Sequence, residues 1–405
     1  MVSRRTFLAA AGTSLALARR PAGLLAAEME LTDGIPSGTA TAARLEALPG
    51  KVPLIKLTYR PPNYETPFGY FDNPITPNDA FFVRYHLADI PELTAAEWRL
   101  RVGGDAATSP FELGLDALKR EFEPVELVAV CQCSGNRRGL SQPHVQGIQW
   151  GMGAMGNARW KGARLKDVLD RAGVNKEAIE VAFGAADGPV IEQTPDFAKS
   201  IPLWKAVEGD ALVAYEMNGE PLPHWNGFPA RIVVPGWTAT YWVKHVTSIE
   251  VRSTPFAGFW MKSAYRVPGA LFPVVQRFAS QEAAANTPIT EMVVNSIITR
   301  PHQGARLTAE QPVDITGLAW DGGYGIAQVD VSLDDGRTWQ SATLGEDLGR
   351  YSFRPWSLRA GLRAGRHALR ARAVNRVGQT QVETALFNPP GYQHNVVPRV
   401  EVTVS

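Results

Sequence analysis

The amino-acid sequence predicts an α+β domain followed by an all-β domain, a β-sandwich of immunoglobulin type. Between Trp98 and about Val251, apolar strand-like runs mix with a segment of helical spacing, which is typical of a mixed α/β domain. After about Pro288, short alternating strands separated by turns predominate, which is typical of a sandwich. A length of 405 residues suits two or three domains.

Two segments characterise the first domain. The apolar run VELVAV (125–130) predicts a buried strand, because such runs are short in strands and longer in helices. The segment ARLKDVLDRAGV (163–174) has apolar residues at helical spacing and predicts a helix that ends at Gly173. We expect this α+β domain to extend over residues 30–287.

The second domain is indicated by residues that alternate between two faces. The segment VDVSL (329–333) places its valines and leucine on one face and Asp330 and Ser332 on the other, and the DDG that follows favours a hairpin turn. The segments LRARA and VEVTV alternate in the same way. We expect residues 288–405 to form the sandwich, after a linker at RFASQEAAANTP (277–288).

The first 29 residues predict a twin-arginine export signal. Arg4 and Arg5 precede Phe7 and an Ala-rich apolar run without acids, and small residues near Ala27 suit cleavage. The run is too short for a spanning helix, which needs ~20 strongly apolar residues. We therefore expect a periplasmic protein. Because this route exports folded proteins, the signal also suggests a cofactor that is inserted before export.

The composition is that of an ordinary soluble protein with a sizeable core. Hydrophobic residues make up 45% of the chain and charged residues 20%. Residues 1–29 contain four arginines and one glutamate, so removing them changes the formal charge from +1 to −2. Nucleic-acid binding needs a concentrated basic face, and this balance does not suggest one.

Both cysteines of the chain lie in CQCSGNRRGL (131–140). Cys131 and Cys133 are separated by one residue, and so short a loop rarely satisfies disulfide geometry. The neighbouring Arg137 and Arg138 would stabilise a thiolate, so Cys133 is a candidate ligand for a soft metal or a nucleophile. A buried structural cysteine fits the same spacing, and the residues alone do not decide between these roles. No Cys-x-x-Cys-His occurs for covalent haem attachment.

A second cluster lies in FFVRYH (81–86). Arg84 and His86 are two residues apart, so on a strand they share a face. Together with Arg138 they form a candidate oxyanion pocket, because guanidinium groups pair well with oxyanions. Surface arginines in ordinary ion pairs are the alternative.

Seven stretches carry a resemblance to a known family: FFVRYHLADIP, CQCSGNRRGL, GNARWKGARLKDVL, KSIPL, AYEMNGEPLP, GFPARIVVPG and DVSLDDGRTWQ. In their order along the chain, from Phe81 towards the end, they resemble the sulfite oxidase family of molybdopterin enzymes. Within it they are most similar to the molybdenum subunits of bacterial periplasmic sulfite dehydrogenases (sulfite:cytochrome c oxidoreductases). The resemblance implies a molybdopterin-binding domain with the sulfite oxidase fold, followed by the sandwich.

The resemblance assigns roles to individual residues. Cys133 matches the family cysteine that binds molybdenum beside the dithiolene of one molybdopterin, and Cys131 has no such match, so we expect it to be structural. The positions matching catalytic or substrate-pocket residues are Arg84, His86, Arg138, Trp150 and Tyr265.

Other positions match cofactor contacts, where lysine and arginine would hold the phosphate tail. They are Phe81, Phe82, Val83, Arg84, Tyr85, Cys133, Asp187, Asn226, Arg231, Trp242, Val243 and Lys244. Three positions depart from the family pattern: Asn226 stands where a histidine is frequent, Gln146 where a lysine is frequent, and Arg399 is a pocket candidate in an altered context.

The resemblance implies an exported enzyme that oxidises sulfite to sulfate by oxygen-atom transfer and passes electrons to a c-type cytochrome, either a bound subunit or a soluble acceptor. No His-Pro-Gly-Gly typical of the family's haem domain occurs, so we expect no haem in this chain. A sulfane dehydrogenase-type subunit of a thiosulfate-oxidising complex is the nearest alternative. An exported metal-binding module without catalysis is an alternative of another class.

Overall fold

The computed structural model describes residues 28–29, 43–189, 191–269, 286–309 and 311–405. The predicted signal lies outside the described residues except for its last two positions, and so does most of the predicted linker. No helix in the described ranges combines the length and hydropathy needed to cross a membrane.

An N-terminal antiparallel sheet comes first, with strands paired in chain order. Its strands are β1 (Glu28–Met29), β2 (Ala43–Ala47), β3 (Pro53–Thr58), β4 (Asn63–Glu65) and β5 (Val83–Arg84). A 3-10 helix (Phe68–Asp72) lies between β4 and β5. Because β5 pairs with β4, this sheet holds the FFVRYH segment at the edge of the main core.

The α+β domain continues with strands and short helices in alternation. Its strands are β6 (Leu100–Gly103), β7 (Phe111–Leu113), β8 (Pro124–Gln132), β9 (Met155–Arg164), β10 (Glu180–Ala185), β11 (Lys199–Pro202), β12 (Leu212–Met217), β13 (Glu220–Pro221), β14 (Arg231–Val233), β15 (Val246–Arg252), β16 (Arg266–Pro268) and β17 (Asn286–Pro288). Its helices are α1 (Leu115–Glu121), α2 (Leu165–Ala172), α3 (Leu203–Ala206) and α4 (Phe259–Lys262), with 3-10 turns at Arg138–Leu140, His224–Asn226 and Ala239–Tyr241.

Two sheets form the centre of this domain, with strand orders β11-β10-β15-β6-β7 and β13-β12-β9-β8. The predicted strand at 125–130 lies within β8, which pairs antiparallel with β9 along its whole length. The predicted helix is α2, and Gly173 ends it with a φ of +69°, a conformation that favours glycine. The mixed α+β class is therefore confirmed.

The C-terminal part is a sandwich of two sheets, with orders β18-β20-β24-β23 and β19-β26-β25-β21-β22. Its strands are β18 (Asn295–Arg300), β19 (Arg306–Leu307), β20 (Pro312–Trp320), β21 (Ile326–Ser332), β22 (Gln340–Ser341), β23 (Thr343–Leu344), β24 (Arg354–Gly361), β25 (Gly365–Asn375) and β26 (Arg399–Val404). Ile315, Val329 and Leu369 are buried between the sheets. The alternation of VDVSL is incomplete, because Asp330 and Ser332 are buried as well.

A separate apolar cluster joins the sandwich to the α+β domain. Val130 and Met155, from the strand pair β8–β9, pack with Ile297 and Trp320 of the sandwich. The indole Nε1–H of Trp320 also donates to the side-chain oxygen of Gln132, at 2.7 Å. The strand that ends at the two cysteines is therefore braced by the second domain.

We expect Ile297→Ala to destabilise the protein by about 2–5 kcal/mol, because it removes a fully buried side chain from this joint. Urea denaturation measures the change. The exposed Ile179 supplies the control, and Ile179→Ala should change the free energy of unfolding by no more than about 0.5 kcal/mol. Equal effects of the two substitutions would contradict a packed joint.

Candidate active site

One pocket gathers residues from the N-terminal sheet, the end of β8, and the loops around β14 and α4. It has an empty volume of about 630 Å³, part of which is open to solvent. Its lining residues are Phe81, Phe82, Arg84, Tyr85, His86, Cys131, Cys133, Ser134, Asp187, Phe197, Trp225, Asn226, Arg231, Ala239, Thr240, Trp242, Lys244 and Tyr265.

Both thiols face this pocket. Cys131 lies in β8 and Cys133 directly follows it, and residues two apart on a strand point to the same side. Burial raises the pKa of Cys131 to about 11, although Arg231 opposes the rise, and an Arg231 Nη2–H points at its sulfur from 3.9 Å. Cys131 is therefore a protonated thiol that forms part of the pocket wall, in addition to any structural role.

A buried carboxylate supports the segment opposite the cysteines. Glu65 accepts hydrogen bonds from the backbone N–H groups of Gly151 and Gly153, the latter at 3.0 Å. In the same segment, the Ala154 carbonyl accepts a hydrogen bond from the backbone N–H of Cys133, at 2.9 Å. Burial raises the pKa of Glu65 to about 7, against the effect of the two backbone donors. Glu65 thus holds the loop that fixes the Cys133 backbone.

Arg84, His86 and Tyr265 form a hydrogen-bonded cluster at one end of the pocket. The Arg84 Nη1–H donates to the Asn63 side-chain oxygen at 3.2 Å, and its Nη2–H donates to the Tyr265 hydroxyl at 3.4 Å. The same hydroxyl is hydrogen-bonded to His86 Nε2. His86 stacks on Phe197 with ring centroids 3.8 Å apart. These contacts fix the guanidinium and the imidazole side by side.

The electrostatics of this cluster favour a neutral imidazole and a neutral phenol. Burial lowers the pKa of His86 well below its usual value, and the cationic Arg84, Lys244 and Lys199 lower it further. Burial raises the pKa of Tyr265, whereas Arg84 opposes the rise. Arg84 is therefore the cation of the cluster, and His86 and Tyr265 exchange an uncharged hydrogen bond.

The other end of the pocket is cationic as well. Arg231 is buried and donates from Nη1 to the Asn226 carbonyl at 3.0 Å and from Nη2 to the Trp242 carbonyl at 2.9 Å. Lys244 Nζ donates to the Arg84 carbonyl at 2.7 Å. Burial raises the pKa of Asp187 to about 6, with Lys244 opposing the rise. This end suits an anionic group such as a phosphate.

Asn226 is held in place by Lys51, a residue that the sequence pattern did not predict to belong to the site. The Lys51 ammonium donates to the Asn226 side-chain oxygen at 2.6 Å and to the carbonyls of Asn78 and Phe81, at 2.6 and 3.1 Å. The amide nitrogen of Asn226 donates to the Phe82 carbonyl at 3.2 Å. Both polar atoms of the side chain therefore bond to protein, and the residue orders the FFVRYH segment.

The residues present fit a large, polar, anionic cofactor. Ser134 Oγ, Thr240 Oγ1 and Arg231 Nε are buried and have no hydrogen-bond partner among the described residues. All three residues line the pocket. Buried polar atoms are costly when unpaired, so a bound group with hydrogen-bonding atoms would satisfy them. The thiol of Cys133 is also a suitable donor for a soft metal.

The structure describes all sixteen predicted site residues, and twelve of them line this pocket. Val83, Arg138, Trp150 and Val243 are outside the described lining. Trp150 and Val243 are fully buried in the main core, and Val83 packs in the N-terminal sheet cluster. Their roles remain predictions from the resemblance.

Arg138 lies behind the pocket. Its Nε–H donates to the Pro390 carbonyl at 2.6 Å and its Nη1–H to the Ile148 carbonyl at 3.1 Å. Its guanidinium faces the Tyr392 ring, 5.3 Å from the centroid, and Tyr392 stacks in parallel on Tyr265. The Tyr392 ring therefore lies between the Arg138 guanidinium and Tyr265, and the charge of Arg138 lowers the pKa of Tyr265.

Gln146 and Arg399 do not line the pocket. Gln146 is exposed in the loop before Trp150. Arg399 lies on β26, where it pairs with Asp335 at 2.9 Å and with Glu401 at 2.6 Å. The Arg399 guanidinium therefore has two carboxylate partners at the surface.

Sequence reasoning missed several lining residues. They are Cys131 as a pocket residue, Ser134, Phe197, Trp225, Ala239 and Thr240. Ser134 directly follows Cys133, and Phe197 stands two residues before the KSIPL stretch, so their neighbourhood was a usable signal. Trp225, Ala239 and Thr240 have no distinguishing local pattern.

Known proteins are similar to this chain in sequence and in fold. The profile of a family described as oxidoreductase molybdopterin binding domain matches residues 86–260, and that of a Mo-co oxidoreductase dimerisation domain matches residues 286–405. The chain is 36% identical over 374 residues to mitochondrial sulfite oxidase of Homo sapiens, covering 88% of this chain and 67% of that protein. It is 32% identical over 316 residues to sulfite oxidase of Arabidopsis thaliana, covering 75% and 79% of the two chains. The crystal structure of the sulfane dehydrogenase SoxCD from Paracoccus pantotrophus matches with a TM-score of 0.73 and 27% identity, covering 85% of each chain.

The raised pKa of Glu65 makes the stability of the fold depend on pH in a predictable direction. Its pKa rises from 4.5 to about 7 on folding, so between these values the folded chain holds a proton that the unfolded chain has lost. Its contribution to the free energy of unfolding therefore falls from about pH 4.5 to 7, by about 3 kcal/mol in total, and is constant above that.

We expect Glu65→Gln to lack this component. The difference in unfolding free energy between the variant and the parent chain should shift in favour of the variant as the pH rises from 5 to 8. Urea denaturation at both pH values measures it, and the subtraction cancels contributions from all other groups. A difference that is the same at both values would contradict the raised pKa.

Proposed function

The chain belongs to the sulfite oxidase family of molybdopterin oxidoreductases, and on this premise we propose that it oxidises sulfite to sulfate in the periplasm and passes the electrons to a c-type cytochrome. One observation carries the proposal: the Arg84–His86–Tyr265 cluster and the Cys133 thiol line the same pocket. A soft-metal donor and an oxyanion-binding cation are the two functions that this reaction requires of the protein.

The residues that would hold the cofactor are arranged in two groups. The thiolate of Cys133 would bind the metal, and Arg231, Lys244 and Thr240 would bind polar and anionic parts of the pterin. When bound, the molybdenum centre supplies an oxygen atom to the substrate and accepts the electron pair. The protein supplies binding, orientation and a site of low dielectric constant.

Arg84 is the group best placed to bind the sulfite oxygens. Its guanidinium is half-buried and fixed by Asn63 and Tyr265, so little side-chain freedom is lost when an anion binds. Neutral His86 and neutral Tyr265 provide uncharged hydrogen bonds beside it. In a poorly hydrated pocket, these contacts attract an anion more strongly than they would in water.

The overall reaction consumes sulfite and water and yields sulfate, two protons and two electrons. A c-type cytochrome accepts one electron at a time, so each turnover needs two transfers to the acceptor. The twin-arginine segment supports a periplasmic location, where such acceptors are found.

The similarity to a sulfane dehydrogenase favours a second candidate function, that of a sulfane dehydrogenase subunit in a thiosulfate-oxidising complex. Steady-state turnover with sulfite and cytochrome c, set against turnover with thiosulfate in the presence of a thiosulfate-oxidising complex, separates the two functions. Within the described residues, no group of three or more His, Cys, Asp or Glu side chains is arranged to hold a metal ion. A metal-binding module without the pterin therefore has less support.

The decisive experiment measures molybdenum and pterin content of the purified protein, together with the change in its visible absorption on adding sulfite. We expect one molybdenum per chain and a spectral change that ferricytochrome c reverses. A molybdenum-loaded protein that does not respond to sulfite would refute the proposed substrate.

Substitution of the two cysteines separates their roles. We expect Cys133→Ser to fold but to lose sulfite turnover, because a serine hydroxyl is a poor ligand for a soft metal. Cys131→Ser should retain most activity, since its hydroxyl still accepts a hydrogen bond from Arg231. Comparable losses in both variants would contradict assigning the metal to Cys133.

We expect Arg84→Gln to raise the KM for sulfite by about 10- to 100-fold, because it removes a charge-assisted hydrogen bond to the anion. Arg399→Gln is the control and should leave KM unchanged, since that side chain is paired at the surface. The same assay on Arg138→Gln measures how much the arginine behind the pocket contributes. An unchanged KM in Arg84→Gln would place the anion elsewhere.

A further inference from the structure

Lys199 is a buried cation directly behind the Arg84–His86–Tyr265 cluster. It begins β11, where it pairs with Phe183 of β10, and its side chain is fully buried. Its Nζ lies 5.0 Å from the centroid of the Tyr265 ring and 4.7 Å from that of the Tyr241 ring. Nζ also donates to the Trp260 carbonyl at 2.6 Å. The ammonium therefore lies against two aromatic faces and one carbonyl.

This arrangement is costly for a structural residue. Burial together with the neighbouring Arg266 lowers the Lys199 pKa well below its usual value, and no described carboxylate opposes this shift. Aromatic faces partly compensate a desolvated ammonium, because the ring quadrupole attracts it. An apolar side chain of similar length would fill the same space without the desolvation cost. A lysine at this position is therefore a candidate for a role beyond packing.

Its contacts lead to the site by two routes. The ammonium faces the ring of Tyr265, whose hydroxyl accepts a hydrogen bond from Arg84 and shares another with His86 Nε2. The backbone of Tyr265 has a φ of +59°, an unfavourable conformation for a tyrosine, so its side chain needs support from its neighbours. Trp260, whose carbonyl Lys199 binds, packs its ring against His86 with centroids 4.8 Å apart. Lys199 thus contacts the residues on both sides of His86.

We propose that Lys199 is a positioning residue: it holds Tyr265 and Trp260 against Arg84 and His86, and its charge adds to the positive potential at the anion-binding end of the pocket. The inference rests on the proposed function, because it identifies that end with the oxyanion site. It assigns to Lys199 an effect on anion affinity that acts directly through its charge and indirectly through the position of Tyr265.

Removal of the charge should weaken anion binding more than it slows the chemical step. At a separation of several ångström in a medium of low dielectric constant, loss of one positive charge reduces the affinity for an anion by about tenfold. We therefore expect Lys199→Met to raise the KM for sulfite and the dissociation constant for sulfate, each by about tenfold, with a smaller change in kcat.

The experiment uses the purified holoprotein with sulfate as an unreactive probe, measured by calorimetry, alongside sulfite kinetics. Lys199→Arg keeps the charge and should retain a sulfate affinity close to that of the parent chain. Lys199→Gln keeps a donor for the Trp260 carbonyl without the charge, and it replaces Lys199→Met if the latter loses pterin or melts early. Lys262→Met is the matched control, because Lys262 is exposed on α4 two residues after Trp260.

A double-mutant comparison tests the route. The part of the effect on sulfate affinity that is transmitted through Tyr265 should disappear when Lys199→Met is made in a Tyr265→Leu background, whereas the direct effect of the charge persists. A sulfate affinity in the neutral variants equal to that of Lys262→Met would overturn the proposal, and full additivity of the two substitutions would overturn the positioning role through Tyr265. Absence of sulfite turnover in the parent chain would instead refute the proposed function, and the sulfate measurement would still decide the role of Lys199.

Discussion

The pocket concentrates buried positive charge: Arg84, Arg231 and Lys244 line it, and Asp187 is the carboxylate among its described lining residues. Backbone carbonyls accept two hydrogen bonds from Arg231 and one from Lys244, but carbonyl dipoles compensate a buried charge only in part. An anionic cofactor and an anionic substrate would supply the missing negative charge. Occupancy and stability are therefore linked in this molecule, because whatever binds the folded state alone also stabilises it.

The C-terminal sandwich domain contributes contacts that support the site. The buried Arg137 guanidinium donates to the Asn295 side chain of β18, and Arg138 donates to the Pro390 carbonyl. Tyr392 then covers Tyr265 with a parallel ring contact at 5.3 Å. The two adjacent arginines after the cysteines thus fasten one domain to the other. The cluster that faces the substrate is built on that junction, so a change in domain packing would be felt at Tyr265.

The fold class and the main strand of the site were accessible from the sequence, because VELVAV and the alternating C-terminal segments obey simple periodicities. Most cofactor residues were accessible only through the family resemblance, since nothing in the local pattern around Asp187 or Trp242 marks them. Lys51 and Lys199 were missed for a physical reason. Lysine is normally a surface residue, and its burial is decided by tertiary contacts that bring it beside Asn226 or Tyr265.

The pairs that close the pocket are far apart along the polypeptide. Lys51 and Asn226 are separated by 175 positions, Arg84 and Tyr265 by 181, and Arg138 and Pro390 by 252. The lining of the pocket is therefore complete only once the chain has been synthesised beyond Tyr265, and the Arg138–Pro390 contact behind it forms only near the end of synthesis. Cofactor loading is therefore expected to be a late step, on a chain in which these distant pairs have already formed.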